Sequence, residues 1–217
     1  MTKGYRYSLI KVYNTLLSAF GPQHWWPAEG PEEMMIGALL TQNTNWKNVE
    51  KALSNLRRDN LLSFIKILNT PISRLEDRVK PSGYFRQKSQ RLKELAAAVV
   101  ECGGMHCLAT KPTPALREWL LDRNGIGPET ADSILLYAFK RPVFVIDSYT
   151  LRICKRHHWL PEKAKYTEAQ NLFTGELPLQ EEIFNEFHAL IVHIGKNFCR
   201  TSKPHCQGCP LERFNNH

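Results

Sequence analysis

Apolar residues recur with helical spacing in nearly every periodic stretch of this 217-residue chain, and that constrains the fold more than any other feature. In "SLIKVYNTLLSAF", Leu9, Val12, Tyr13, Leu16, Leu17 and Phe20 fall on one face, and Gly21-Pro22 stops the run. Pro31 followed by Glu32 and Glu33 opens a second helix, because proline suits the first turn and acids complement the positive end of the helix dipole. That helix, "PEEMMIGALLTQ", is apolar almost all round and should be buried. Further helical stretches follow: "NWKNVEKALSNLRRD", "LLSFIKILN", "FRQKSQRLKELAAAVVE" (ended by Gly103-Gly104), "TPALREWLLDR", "PETADSILLYAF", "DSYTLRICKRH" and "QEEIFNEFHALIVHIGKNF". Only "VFVI" at 143–146 reads as strand. The expected fold class is all-α, without internal repeats or low-complexity segments.

Charge narrows the partner. Against 21 Asp+Glu stand 29 Lys+Arg, a net charge of +8, and such a balance favours a polyanion, most commonly nucleic acid. No apolar run approaches the ~20 residues of a membrane span. The stretch "MTKGYRYSLIKVYN" lacks the apolar core of a signal peptide, so the expectation is a cytoplasmic, nucleoid-associated protein without a membrane partner. In that compartment cysteines are thiols or metal ligands rather than disulfides. Cys102, Cys107 and Cys154 are scattered, whereas Cys199, Cys206 and Cys209 crowd together.

One loop carries a specific chemistry. In "NGIGPETAD", Gly125 and Gly127 permit positive φ and close approach of the backbone, and Pro128 starts a helix whose N–H groups point back at the loop. Such a turn can grip a phosphate without reading bases, although an ordinary tight helix–helix turn would look similar. Twenty residues past Gly127, "VFVIDSYT" delivers one carboxylate, Asp147, to a helix start, where it would also serve as a plain N-cap.

Together the loop and Asp147 resemble the signature of the endonuclease III superfamily of helix–hairpin–helix DNA glycosylases, over most of the chain. The resemblance implies that Asp147 supports base loss, by stabilising positive charge on the sugar or by orienting or activating a water, since N-glycosidic cleavage passes through an oxocarbenium-like state. It places Glu129 where bifunctional members carry a lysine that attacks C1′. A carboxylate cannot form that Schiff base, so the implied enzyme is monofunctional. Gly125, Gly127 and Thr130 are then DNA-binding residues of the hairpin. Gln42 in "LLTQNTNW" and Tyr84 in "KPSGYFRQK" match the residues inserted into the opened duplex, with Lys88 and Arg86 near phosphates or on a solvated helix face.

Within the superfamily, "HWWPAE", Trp46 and the glutamate of "GIGPETAD" are similar to the 3-methyladenine DNA glycosylase III branch, in which aromatic side chains sandwich an alkylated base. Methylated purines are cationic, and an indole face attracts cations by about 0.5–2 kcal/mol. The pocket set is therefore Trp46 with one of Trp25 and Trp26, and Lys196 in "HIGKNF" matches a position near the active site. Tryptophans are equally at home in a core.

The tail "CRTSKPHCQGCPLERFNNH" has the C-x6-C-x2-C spacing of the superfamily's iron–sulfur loop, but position 215, where a fourth cysteine is expected, is Asn215. A four-thiolate [4Fe–4S] cluster cannot be built from it as written. His205 or His217 could complete a set for iron, or for zinc as Cys3His, or the loop could persist without metal as a basic hook with Arg200 and Lys203. The implied architecture is a helical barrel over 27–141 with the hairpin at about 116–131. A second domain would comprise 1–26 and 142–217 with the cysteine loop at 199–215, and the pocket would open between the two. The expected partner is damaged double-stranded DNA, bound by a monomer that excises alkylated purines. The rivals are a glycosylase for mismatched or oxidised bases and a non-catalytic hairpin module in which Asp147 is only a cap.

Overall fold

The computed structural model describes residues 8–214 and divides into two compact units, one of Trp26–Arg141 and one joining Met1–Trp25 to Pro142–His217. Among the described residues there is no strand, and no helix is long and apolar enough to cross a membrane.

Helix α1 (Leu9–Phe20) belongs to the joined unit and buries Leu9, Val12 and Leu16, the stripe its periodicity set out. The central unit begins with α2 (Pro31–Leu40), which is buried from Glu33 to Leu40. Glu33 is tolerated there because Arg57 pairs with it from α3 (Trp46–Arg58). Helices α4 (Phe64–Asn69) and α5 (Ile72–Val79) pack against α6 (Phe85–Glu101). Gly103 and Gly104, both at positive φ, end α6 but immediately start α7 (Gly104–Thr110). That turn brings the sulfurs of Cys102 and Cys107 to 3.0 Å, a proximity their separation in sequence conceals.

Helices α8 (Thr113–Leu121) and α9 (Pro128–Ser133) form the hairpin. A bidentate ion pair clamps them: Arg117 Nε donates to Asp132 Oδ1 at 2.6 Å and Nη2 to Oδ2 at 3.1 Å, with the Asp132 side chain fully buried. Residues Ile134–Ala138 continue α9 as a π-helical turn, a widening that is uncommon and often sits at functional sites.

In the joined unit, α10 (Ser148–Arg156), α11 (Tyr166–Glu176) and α12 (Glu181–Asn197) surround the strand-like run 143–146, which forms no ladder. Helices enclose it instead. Phe144 stacks on Phe173 at 4.0 Å, meets Phe184 edge-on at 5.3 Å, and its carbonyl accepts from Gln170 Nε2 at 2.8 Å. A buried extended segment thus has its backbone satisfied by a side chain rather than by a partner strand.

The Arg117–Asp132 clamp leads to a stability prediction. Removing the guanidinium takes two charge-assisted hydrogen bonds from a buried carboxylate, so Arg117→Met should lose about 2–4 kcal/mol in urea unfolding, at the lower side of a fully buried pair because Arg117 is partly exposed. Unchanged stability would show that the pair does not hold the hairpin.

Candidate DNA-repair site

In the central unit the hairpin loop is built around one close contact. Gly125 has φ +78°, and a Cβ placed there would lie 2.3–2.6 Å from the Arg91 side chain, so both conformation and space demand glycine. Gly127 differs from the expectation for it: its backbone is extended, at φ −91°, and nothing stands within 4 Å of where a Cβ would be. Its glycine leaves an open approach to the backbone rather than enabling a left-handed turn. Ile126 between them is buried and anchors the loop. Pro128 and Glu129 follow in the first turn of α9; Glu129 is exposed, and its carbonyl accepts from Ser133 Oγ.

Gln42, just beyond α2, meets this loop. Its Nε2 donates to the Gly125 carbonyl at 2.8 Å and to Thr130 Oγ1 at 3.1 Å, while its Oε1 accepts from Arg91 Nη1 at 3.2 Å. Gln42, Gly125 and Thr130, far apart in sequence, thus form one network organised by Arg91, a residue that sequence reasoning did not single out. Tyr84 stands clear of it, 67% exposed and in the left-handed region at φ 44°, an uncommon conformation for a bulky residue. Lys88 corrects the expectation of a phosphate contact or a solvated face. It is 2% exposed, and its Nζ donates to the carbonyls of Leu40 at 2.8 Å and Ser82 at 2.7 Å. Burial, with the charge of Arg91 adding to it, lowers its pKa to about 8. Arg86, two residues earlier, is exposed.

The aromatic residues gather as a half-buried cluster. Trp26 and Trp46 meet edge to face at 5.2 Å and 87°, and Tyr137 packs on Trp26 at 5.5 Å. Tyr137 comes from the π-helical turn and carried no sequence signal, because in "SILLYAF" it reads as another core position. Of the two adjacent tryptophans it is Trp26 that joins Trp46; Trp25 falls within the other unit.

In that unit Asp147 caps α10. Its Oδ1 accepts from the Thr150 N–H at 2.7 Å and from Thr150 Oγ1 at 2.8 Å, with the residue 8% exposed. The second oxygen, Oδ2, lies 3.8 Å from Nε2 of His188 on α12. Desolvation lowers the pKa of the buried His188 against the opposing pull of Asp147, and Lys196 nearby lowers it further, so His188 is neutral at pH 7. Lys196 itself is exposed in the last turn of α12. The preceding Gly195 is held open by packing: a Cβ there would lie 2.3 Å from Tyr149, whose ring carries the Arg152 guanidinium at 4.9 Å.

Cys199, Cys206 and Cys209 all line one cavity of about 270 Å³, with His205 at its wall. Arg156 braces its rim, donating to Cys199 Sγ at 3.3 Å and to the carbonyls of Arg200 and Thr201. Among the described residues no three His, Cys, Asp or Glu side chains converge to hold an ion. The three thiols face one cavity without converging on a single point. Asn215 and His217 lie outside the described residues.

The hairpin built on Gly125 and the carboxylate that caps α10 fit a helix–hairpin–helix protein. Residues 36–178 match the HhH-GPD superfamily of base excision DNA repair proteins, and the chain belongs to that family as a DNA glycosylase. It is 46% identical over 209 residues to a candidate DNA repair glycosylase of Methanocaldococcus jannaschii, covering 95% of this chain and 94% of that one. It is 28% identical over 189 residues to endonuclease III of Thermotoga maritima, covering 84% and 81%. Among solved structures, the H. pylori 3-methyladenine DNA glycosylase bound to 1,N6-ethenoadenine superposes with a TM-score of 0.76 at 31% identity, covering 87% of this chain and 95% of that one. A non-covalent endonuclease III–DNA complex reaches 0.82 at 20% identity, covering 96% and 94%, and shares the fold.

The depressed pKa of His188 has a measurable consequence. The folded chain takes up its proton at lower pH than the unfolded chain, so stability from neutral His188 is complete above about 6.5 and is lost as pH falls toward the folded value. His188→Gln should therefore flatten the fall in urea-unfolding stability from about pH 7 to pH 5, leaving the part due to His157 and His193, which are shifted the same way. An unaltered slope would mean that His188 does not titrate as its burial requires.

Proposed function

We propose that this glycosylase is monofunctional and hydrolyses the N-glycosidic bond of alkylated purines of the 3-methyladenine type after flipping the base out of duplex DNA. The observation that carries the reading is the half-buried cluster of Trp26, Trp46 and Tyr137, a surface suited to a flat cationic base. The 31% identity to a 3-methyladenine DNA glycosylase supports the same substrate class. Trp25 stands beside Trp26 in sequence as a second candidate for the pocket wall, and Lys196, whose charge like that of Asp147 acts on His188, as a candidate cation of the site.

In the proposed reaction Asp147 faces the positive charge that develops on the sugar. One of its oxygens is already committed to Thr150, which fixes the carboxylate, and the other is directed toward His188. Water adds at C1′, the bond from C1′ to the base nitrogen breaks, and its electron pair leaves with the base. A methylated, cationic purine departs neutral and needs no strong general acid. Asp147 accepts the proton that the water gives up. Glu129, in the position of the lyase lysine, has no amine with which to attack C1′, so the abasic strand is left uncut. Gly125, Gly127 and Thr130 hold the phosphate backbone, and Gln42 and Tyr84 fill the opened stack. Exposure and left-handed backbone support the role of Tyr84.

Purified protein incubated with methylated duplex DNA should release 3-methyladenine, with strand breaks appearing only after hot alkali. Asp147→Asn should abolish release while retaining DNA binding, because it keeps an N-cap acceptor and removes the negative charge. Breaks without alkali would refute the monofunctional reading, and no release would send the search to mismatched or oxidised bases.

The tail belongs to the same reading as a structural element. We infer that Cys199, Cys206 and Cys209 hold an iron–sulfur cluster by three thiolates, which when bound would cross-link the loop after α12. Anaerobically purified protein should contain iron and acid-labile sulfide, and Cys206→Ser should lose both. Protein free of sulfide after reconstitution would return the loop to a metal-free role.

A further inference from the structure

Lys88 has the burial and partners of a structural keystone in a place where neither packing nor solubility asks for a charge. A lysine is almost never fully buried unless paired, and here Arg86 and Gln87 beside it on α6 face solvent. Its ammonium is instead anchored to two backbone segments. Leu40 is the last residue of α2, so its carbonyl is one of those a helix end leaves without an intrahelical partner, and the negative end of the helix dipole favours a cation there. Ser82 closes the 3-10 turn Lys80–Ser82, and its carbonyl takes the second donor. Two residues after Leu40 comes Gln42, and two residues after Ser82 comes Tyr84. The only residues between are Thr41 on one side and Gly83, at φ +71°, on the other. One point charge therefore ties together the starting points of both segments assigned to fill the opened duplex.

We propose that Lys88 is a positioning residue for base flipping, its buried ammonium fixing the spacing between the Gln42 and Tyr84 segments. The inference rests on the reading of those two residues as the wedges. A lysine suits the task because three donors on one small cationic head can bridge two carbonyls, whereas an apolar residue of equal length would fill the space and bind neither. Arg91, one turn further along α6, holds the Gln42 side chain itself, so the same helix fixes the Gln42 segment at its backbone and at its tip.

The test is a mutant cycle read by the fluorescence of a 2-aminopurine placed beside an alkylated base, which reports unstacking, together with single-turnover excision. Lys88→Met should slow both by about 10- to 100-fold, as a misplacement on the order of 1 Å does, with affinity for undamaged duplex little changed. In the Gln42→Ala, Tyr84→Ala double variant, the same Lys88→Met change should produce no further loss, because its effect is exerted through the wedges. A full additional loss in that background would overturn the proposal in favour of a general structural role, and an unimpaired Lys88→Met would overturn it outright. A double variant that unstacks DNA like the parent would instead remove the wedge reading itself, and the positioning role with it. If Lys88→Met melts below the assay temperature, Lys88→Gln, whose amide reaches one carbonyl but not both, goes through the same cycle and is judged by the same two outcomes.

Discussion

The close approach of Arg91 to Gly125 is the contact on which the central unit's site depends. A guanidinium within reach of a loop backbone requires that the loop present no side chain there, and Gly125 alone supplies that together with the positive φ. Once in place, Arg91 donates to Gln42, and Gln42 donates to the Gly125 carbonyl and to Thr130. The loop is thus held from its own interior side, while Gly127 leaves its outer side open. Arg91 is spent on building the loop rather than on its surface.

Charge is used in the same way elsewhere. Arg117 on Asp132, Arg57 on Glu33 and Lys88 on two carbonyls are all cations turned inward or sideways to fix helix ends and loops. The net charge of +8 is therefore an imperfect map of the DNA-facing surface, because part of it stabilises the frame. Of the cations that the site reading invoked, Lys196 and Arg86 are exposed and Lys88 is not.

The cap that Asp147 supplies to α10 is compatible with the role proposed for it. As an N-cap it satisfies the start of α10 through one oxygen, and that commitment orients the other. A cap is a means of holding a carboxylate still near a positive helix end, and immobility is what electrostatic stabilisation of a developing cation needs. Burial keeps the pKa of the neighbouring His188 low despite the pull of the carboxylate.

Nine of the helices, the hairpin turn at Gly125 and Asp147 at a helix start were legible, because each is fixed by spacing within a few residues: apolar periodicity, Gly-x-Gly-Pro, a carboxylate before a helix. The short or weakly amphipathic α5, α7 and α11 were not among the stretches read as helical. The fold class followed from the same local rules, and at the strand-like 143–146 local preference lost to surrounding helices and their side chains. What sequence could not reach were the contacts that link residues tens of positions apart: Arg91 with Gly125 and Gln42, Lys88 with Leu40, Asp147 with His188, Tyr137 with Trp26. Lys88 in "FRQKSQRLK" has the spacing of a solvated face, and only the arrival of the α2 terminus and the Ser82 turn above it makes burial of its charge favourable. Local spacing determined which elements form and which chemistry they carry. The tertiary structure alone decided which charges meet a partner, because burial and pairing depend on segments that the chain order keeps apart.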